Sequence, residues 1–324
     1  LAFFSVAYLV PIAWSLGSRD GAVMDFVIAA GVNLVVGLGV ALSTRRFRRE
    51  LKPRDGFILV TLAWVLMSAS ASIPLMVALP DLSFTDAYFE AVSGITTTGS
   101  TVLHGLDYLP PSINVWRTML HWLGGIGIIV LAVAILPLLG VGGMQLYKAE
   151  TPGPVKDEKL TPRITETAKA LWLTYLLFTV AAIAALKLCG LSWLDSVCHA
   201  FSVMALGGFS SRDASIGAFD TAAVEIVLSV FMVLASVSFA RHFVTLRTFS
   251  LKPYQRDNQG KAVLMVLGGS ILLIAGLLTI SGTYPDLLES LRHTTFNVIS
   301  VATTTGFSSE NYELWPLFAP VWTL

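Results

Sequence analysis

Apolar residues run along this chain in long blocks rather than in strand-like alternation. A helix that crosses the hydrocarbon core of a bilayer needs ~20 predominantly apolar residues. Stretches of that character occupy residues 1–16, 24–42, 57–79, 115–139, 168–190, 219–244 and 262–282, and an eighth begins near Trp315. Each is read as a membrane-spanning helix. Three intervening segments, 80–114, 191–218 and 283–314, are too apolar for solvated loops and too short to cross twice. They read as re-entrant: a short helix going in and an irregular strand coming out.

Composition agrees. Of 324 residues, 55% are hydrophobic and 13% charged, against about 25% charged in soluble domains. The mean hydropathy is +0.73. A formal net charge of zero argues against a nucleic-acid partner, which calls for a basic excess. Resolved along the chain, the charge is more informative. Sixteen of the 21 basic residues fall in 43–56, 140–169 and 241–261, leaving Arg19, Arg117, Lys187, Arg212 and Arg292 elsewhere. Positive loops stay inside, so these three loops are cytoplasmic and the re-entrant segments face outward. Cys189 and Cys198 exclude a disulfide scaffold and a cysteine zinc site, and read as buried thiols. The first apolar stretch has no signal-peptide pattern.

Self-comparison exposes a repeat. Ser93-Gly94-Ile95-Thr96-Thr97-Thr98-Gly99, Ser202-Val203-Met204-Ala205-Leu206-Gly207-Gly208 and Ser300-Val301-Ala302-Thr303-Thr304-Thr305-Gly306 align without gaps. Their shared glycines are 109 and 98 residues apart, each copy between two apolar blocks on the same side. The fold expected is an all-α polytopic membrane protein of helix–pore loop–helix units. Residues 1–50 form an N-terminal helix pair, 51–140 repeat 1, 141–246 repeat 2, and 247–324 an incomplete repeat 3.

Irregular backbone at membrane depth must be buried in protein or line a water-filled path. Rings of carbonyls can replace the hydration shell of a monovalent cation, and glycine lets successive carbonyls aim at one axis. The candidate cation-binding residues are Thr97, Thr98, Gly99, Leu206, Gly207, Gly208, Thr304, Thr305 and Gly306. The short helices would point their partly negative C-termini at the ion. About four contributors complete such a ring, so a fourth segment is expected beyond Leu324 and the chain is read as three of four repeats.

Other residues carry competing readings. Glu90, His199 and Asn297 share one aligned position nine residues before the glycine, as intramembrane functional groups or as structural polar anchors. Asp86, Asp195 and Asp286 read as helix N-caps. Arg212 and Asp213 either tune the outer mouth or merely pair. His121 and Trp122 read as packing residues, and Gly124-Gly125-Ile126-Gly127 as a close helix contact. The loop from Lys156 to Lys169 is a solvated connector or a docking site for a regulatory subunit. No catalytic constellation appears, so an enzyme is not expected.

Several runs resemble the Trk/Ktr/HKT potassium-translocating proteins. They are Arg54-Asp55-Gly56-Phe57, His121-Trp122-Leu123-Gly124-Gly125, Gly140 through Tyr147, Pro152 through Asp157, Leu160 through Ile164, Gly207-Gly208-Phe209-Ser210, Asp213-Ala214-Ser215 and Thr305-Gly306-Phe307. The resemblance implies a potassium-channel-like pseudo-tetramer of four repeats around one pore, with an extra N-terminal helix pair. It implies potassium uptake across the bacterial inner membrane, with potassium as the transported ligand and no covalent cofactor. It also implies a lipid environment, a homodimer and a cytoplasmic nucleotide-binding regulatory subunit, TrkA-like. In such proteins a filter glycine in every repeat goes with potassium selectivity, and Gly99, Gly208 and Gly306 match. The alternative from another class is an alternating-access, cation-coupled secondary transporter. It would call for an inverted repeat, whereas these copies all face one way.

Overall fold

The computed structural model describes residues 1–46, 53–130 and 160–323. Arg48, Arg49, Lys52, Lys148, Lys156 and Lys159 therefore lie outside the described residues. So do the runs Gly140 through Tyr147 and Pro152 through Asp157. The described elements are helical, and the chain divides into two compact units. One comprises Leu1–Thr96 and Leu109–Leu173; the other comprises Thr97–Tyr108 and Thr174–Leu324.

The first unit holds α1 (Leu9–Ser18), α2 (Val23–Thr44), α3 (Pro53–Ala78), α4 (Phe84–Ile95), α5 (Pro111–Val130) and the start of α6 (Leu160–Leu188). The stretch 1–16 does not form one span. A 3-10 turn, Phe4–Tyr8, leads into the 10-residue α1, which stops at Arg19 in a left-handed conformation. The fifteen residues Phe4–Ser18 rise about 22 Å at 1.5 Å per residue, short of a ~30 Å core. Pro11 sits in the first turn of α1, where a missing N–H costs no helical hydrogen bond.

Aromatic packing fixes this short helix. Tyr8 stacks on Trp116 at 4.6 Å, and Phe4 and Phe26 close around the same indole. Pro74 lies inside α3 and cannot donate to the carbonyl of Ser70 four residues back. Tyr8 Oη donates to that carbonyl instead, at 2.8 Å, and Trp116 Nε1 donates to Ala71 O at 3.0 Å. The start of α5 is tied down in the same way: Ser112 N donates to Asp20 Oδ2 at 2.8 Å. The glycine-rich stretch acts as expected at Gly124. A Cβ there would fall well inside 3.0 Å of Ile95 O, so only glycine lets α5 approach the end of α4 this closely. The expected span 115–139 is seen as α5 through Val130; the rest lies outside the described residues.

The second unit holds the rest of α6, then α7 (Trp193–Met204), α8 (Ala222–Ser236), α9 (Phe239–Thr248), α10 (Lys252–Gln255), α11 (Asn258–Ile280), α12 (Leu287–Ala302) and α13 (Phe318–Thr323). The expected span 219–244 is instead two helices bent by 97°. The sequence between residues 239 and 248 carries Arg241, His242 and Arg247, too polar to continue α8 through hydrocarbon. His242 Nε2 donates at 2.8 Å to Leu234 O, which also accepts from Val237 N at 3.1 Å where α8 ends. Tyr175 and Phe178 pack on Phe239 and His242. Leu267, Ile274 and Leu278 of α11 form a core with Val298, Trp315 and Ala319. Cys189 and Cys198 are not joined by a disulfide; Cys198 is buried and Cys189 only half-buried.

Among the described residues four helices are long and apolar enough to span, Val23–Thr44, Phe57–Ala78, Glu166–Leu188 and Asn258–Ile280, or five if the bent pair is one broken span. Their apolar side chains face outward; Val35 is 71% and Met265 70% exposed. A water-facing surface would not carry such rows. The chain is a multi-pass membrane protein.

Candidate functional site

The three aligned segments share one construction. A short helix, α4, α7 or α12, ends four residues before the shared glycine. Two residues before that glycine the backbone turns left-handed, at Thr97 (φ 56°), Leu206 (52°) and Thr304 (60°). The glycines follow at 81°, 78° and 84°, while Thr98, Gly207 and Thr305 between them are not left-handed. Left-handed backbone costs a residue with a Cβ roughly 1–2 kcal/mol, so two threonines and a leucine here mark conformations imposed by the surroundings.

The strain is held from behind. Gly207 N and Thr305 N donate back to Ser202 O and Ser300 O, at 3.0 and 2.8 Å. Ser300 Oγ donates to Phe307 O at 2.6 Å, and Thr303 and Thr305 hydroxyls meet at 2.8 Å.

The candidate residues Thr97–Gly99, Leu206–Gly208 and Thr304–Gly306 all belong to the second unit, which brings the segments together. A Cβ on Gly99 would run into Gly207 O, and one on Gly208 into Thr305 O, both well inside 3.0 Å. The relation is the same each time: the shared glycine receives the carbonyl of the residue before the next shared glycine. The segments thus interlock in chain order. Gly306, last in the series, meets nothing within 4 Å among the described residues.

The helix starts differ from expectation. The N-caps of α4 and α7 are Ser83 and Ser192, with Asp86 and Asp195 three residues inside. Each serine accepts from the aspartate amide and donates to its carboxylate at 2.7 Å. Serine hydroxyl and aspartate carboxylate thus close the helix start together, which a lone aspartate does not reveal. Asp286 does cap α12, accepting from Glu289 N at 2.8 Å. The third helix begins a turn earlier than the other two relative to its glycine.

The shared position nine before the glycine is one of anchors. His199 Nδ1 donates to Asp195 O at 2.7 Å, so Nε2 accepts from Ser210 Oγ at 2.9 Å. Asn297 donates to Ser309 Oγ at 3.0 Å and accepts from Ser309 N at 3.3 Å. Both pin the strand leaving the Thr/Gly segment. Glu90, fully buried in the first unit, pairs with Arg117 at 2.7 Å. His121 is fully buried, in keeping with a packing role.

Beyond the segments the loops are cross-linked by charge. Arg212 grips Asp195 with two nitrogens, at 2.9 and 3.1 Å, and reaches Asp107 at 3.0 Å. Asp213 N donates to Asp107, and Leu106 N to Asp213. Arg212 therefore pairs with Asp195 and Asp107, and Asp213 is held by the turn at Leu106 and Asp107. Asp107 was not singled out by sequence, because its partner lies 105 residues away. The same holds for Arg292 with Glu225 and Asp220, at 2.6 and 3.0 Å. The loop after the second segment is pinned to the strand after the third: Ile216 N and Gly217 N donate to Ser308 O at 3.0 and 3.2 Å.

The Asp213 amide and then Arg212 hold the Asp107 carboxyl below its usual range. For Asp195, burial pushes upward, but hydrogen bonds from Arg212, Ser192 and Ser211 outweigh it and the net shift is downward. A carboxylate depressed in the folded state stabilises above its unfolded pKa of about 3.9, and that stabilisation is lost as pH falls through the lower folded value. Thermal unfolding between pH 7 and pH 3 should therefore show falling stability at the acid end. Arg212→Gln should be destabilised by about 1–2 kcal/mol at pH 7 and should flatten the acid limb. An unchanged acid limb would remove Arg212 from this role.

A family model described as TrkH, cation transport protein, matches residues 23–322. The Trk system potassium uptake protein TrkH of Halomonas elongata is 47% identical over 98% of the chain. That of Vibrio parahaemolyticus is 44% identical over 99%, and the Trk system potassium uptake protein TrkG of Escherichia coli 37% over 99%. A crystal structure of the potassium transporter TrkH from Vibrio parahaemolyticus matches with a TM-score of 0.88 at 40% identity, over 99% of this chain and 66% of that one. The chain spans about two thirds of the length of these relatives, 66%, 67% and 66% in turn. The repeated Thr/Gly construction, the apolar spans and these matches lead to one conclusion: this chain belongs to the TrkH family of cation transport proteins.

Proposed function

We propose that the chain supplies most of the pore of a bacterial potassium-uptake system, and that Thr97, Thr98, Gly99, Leu206, Gly207, Gly208, Thr304, Thr305 and Gly306 form its selectivity filter. The observation that carries this reading is the interlock of the three aligned segments through glycine and carbonyl. Fixed carbonyls replace water around a potassium ion, and the partly negative ends of α4, α7 and α12 favour a cation below them. The filter residues carry no formal charge, so selection rests on geometry.

The repeats are 51–140, 141–246 and 247–324, behind an N-terminal pair in 1–50. A fourth segment stands on the open side of Gly306 and closes the ring. The protein sits in the bacterial inner membrane as a homodimer. The relatives' names, each part of a Trk system, support a multi-component assembly with a TrkA-like, nucleotide-binding cytoplasmic subunit. Alternating access finds no support, since the three copies run in one direction.

The test is flux. The complete protein in vesicles should carry potassium at least tenfold faster than sodium, a difference of about 1.4 kcal/mol. Equal rates for the two ions would overturn the assignment.

A further inference from the structure

After the 97° bend, α9 leads into a turn with unusual exposure. Phe249 is 97% exposed and Leu251 65% exposed. Phe249 also has a left-handed backbone, φ 46°, where it caps α9. Glycine or asparagine is the usual occupant of such a cap. A fully exposed phenylalanine is unfavourable in water, and the backbone strain at this position is held in addition. Around this turn stand three exposed cations, Arg247, Lys252 and Arg256.

The one acidic residue of 241–261 is Asp257. It is buried, paired with Arg241, and caps α11 by accepting from Gly260 N. It is engaged with Arg241 rather than with the exposed Arg247, Lys252 or Arg256. The platform beneath is fixed. His242 bonds Leu234 O through one ring nitrogen and the Tyr254 hydroxyl through the other. With Phe239 and His242 buried on its inner face, α9 cannot roll to hide the turn.

Depth follows from the neighbours. Arg256 lies two residues before Asn258, where the span α11 begins. At 1.5 Å per residue it stands within about 5 Å of the end of that span, at the level of lipid headgroups. Two apolar side chains ringed by cations at that depth have the make-up of an interfacial anchor.

We propose that the turn 249–251, with Arg247, Lys252 and Arg256, docks onto anionic lipid headgroups at the cytoplasmic face. The proposal rests on the topology given above. Phe249 and Leu251 enter the acyl boundary while the three cations contact lipid phosphates. Each basic residue near an anionic surface contributes about fivefold in binding.

The experiment uses the complete protein. Native mass spectrometry compares retention of phosphatidylglycerol and phosphatidylcholine by the wild type and by the triple variant Arg247→Gln/Lys252→Gln/Arg256→Gln. The wild type should prefer phosphatidylglycerol by at least about fivefold, and the variant should lose that preference. In parallel, Leu251→Cys in a Cys189→Ser background carries an environment-sensitive fluorophore. Its emission should shift to the blue in vesicles of phosphatidylcholine with phosphatidylglycerol, and less so in phosphatidylcholine alone. Equal retention of both lipids by wild type and variant would overturn the proposal. So would a probe shielded only when a cytoplasmic protein is added, whatever the lipid. Potassium flux in the same vesicles separates failure of the anchor from failure of the pore.

Discussion

Gly99→Ser should reduce potassium-over-sodium discrimination by about tenfold or more, equivalent to ~1.4 kcal/mol, and Gly208→Ser should do the same. The reason lies across the segment boundary. A side chain on Gly99 collides with the Gly207 carbonyl, and one on Gly208 with that of Thr305. The carbonyl displaced belongs to the neighbouring segment, so one substitution disturbs two of the interlocked segments. Left-handed backbone adds roughly 1–2 kcal/mol of strain, which alone would lower stability without choosing between ions. Gly306 separates the two effects, because nothing among the described residues stands within 4 Å of a Cβ there. If a fourth segment closes the ring, Gly306→Ser in the complete protein should match Gly99→Ser. A Gly306→Ser protein that is merely less stable, with selectivity intact, would remove the fourth segment from that position. Paired potassium and sodium fluxes on the three variants decide it.

Breaking the Glu90–Arg117 pair should bring the largest loss of stability. Both side chains are fully buried, bonded at 2.7 and 2.8 Å, and Arg117 also donates to Asn114 Oδ1 at 3.2 Å. Arg117→Ala strands a carboxylate away from water, at a cost of about 3–5 kcal/mol. The double variant Glu90→Leu/Arg117→Met removes both charges and keeps the volume, so it should recover much of that loss. Thermal unfolding in detergent reads both. A double variant no better than the single one would mean that the pair does more than neutralise itself.

The architecture was legible where it depends on what repeats. The apolar blocks 24–42, 57–79, 168–190 and 262–282 and the close approach at Gly124 are local patterns, and the structure carries them; the block 1–16 does not form a span, and 219–244 bends into two helices. What was not legible depends on partners far along the chain. Hydropathy averages over residues 219–244 and sees one span; the bend follows from His242 reaching Leu234 O and from polar side chains in α9. Asp86 and Asp195 looked like caps because they begin the polar-to-apolar transition. The serine three residues earlier takes the cap, and the aspartate answers it. Asp107 looked like any loop carboxylate until Arg212 came beside it. The left-handed turn at Leu206 has no signature of its own: glycine announces such a conformation, and leucine does not.

The tyrosine that fills the proline gap in α3 bears on how the protein is made. Ser70 O loses its helical donor to Pro74 and gains Tyr8 Oη. An unpaired carbonyl in hydrocarbon is costly. Chains are synthesised from the N-terminus, so α1 is present before α3 is complete, and the donor waits for the acceptor. The hydroxyl of Tyr8 is thus available on the growing chain before the Ser70 carbonyl it satisfies.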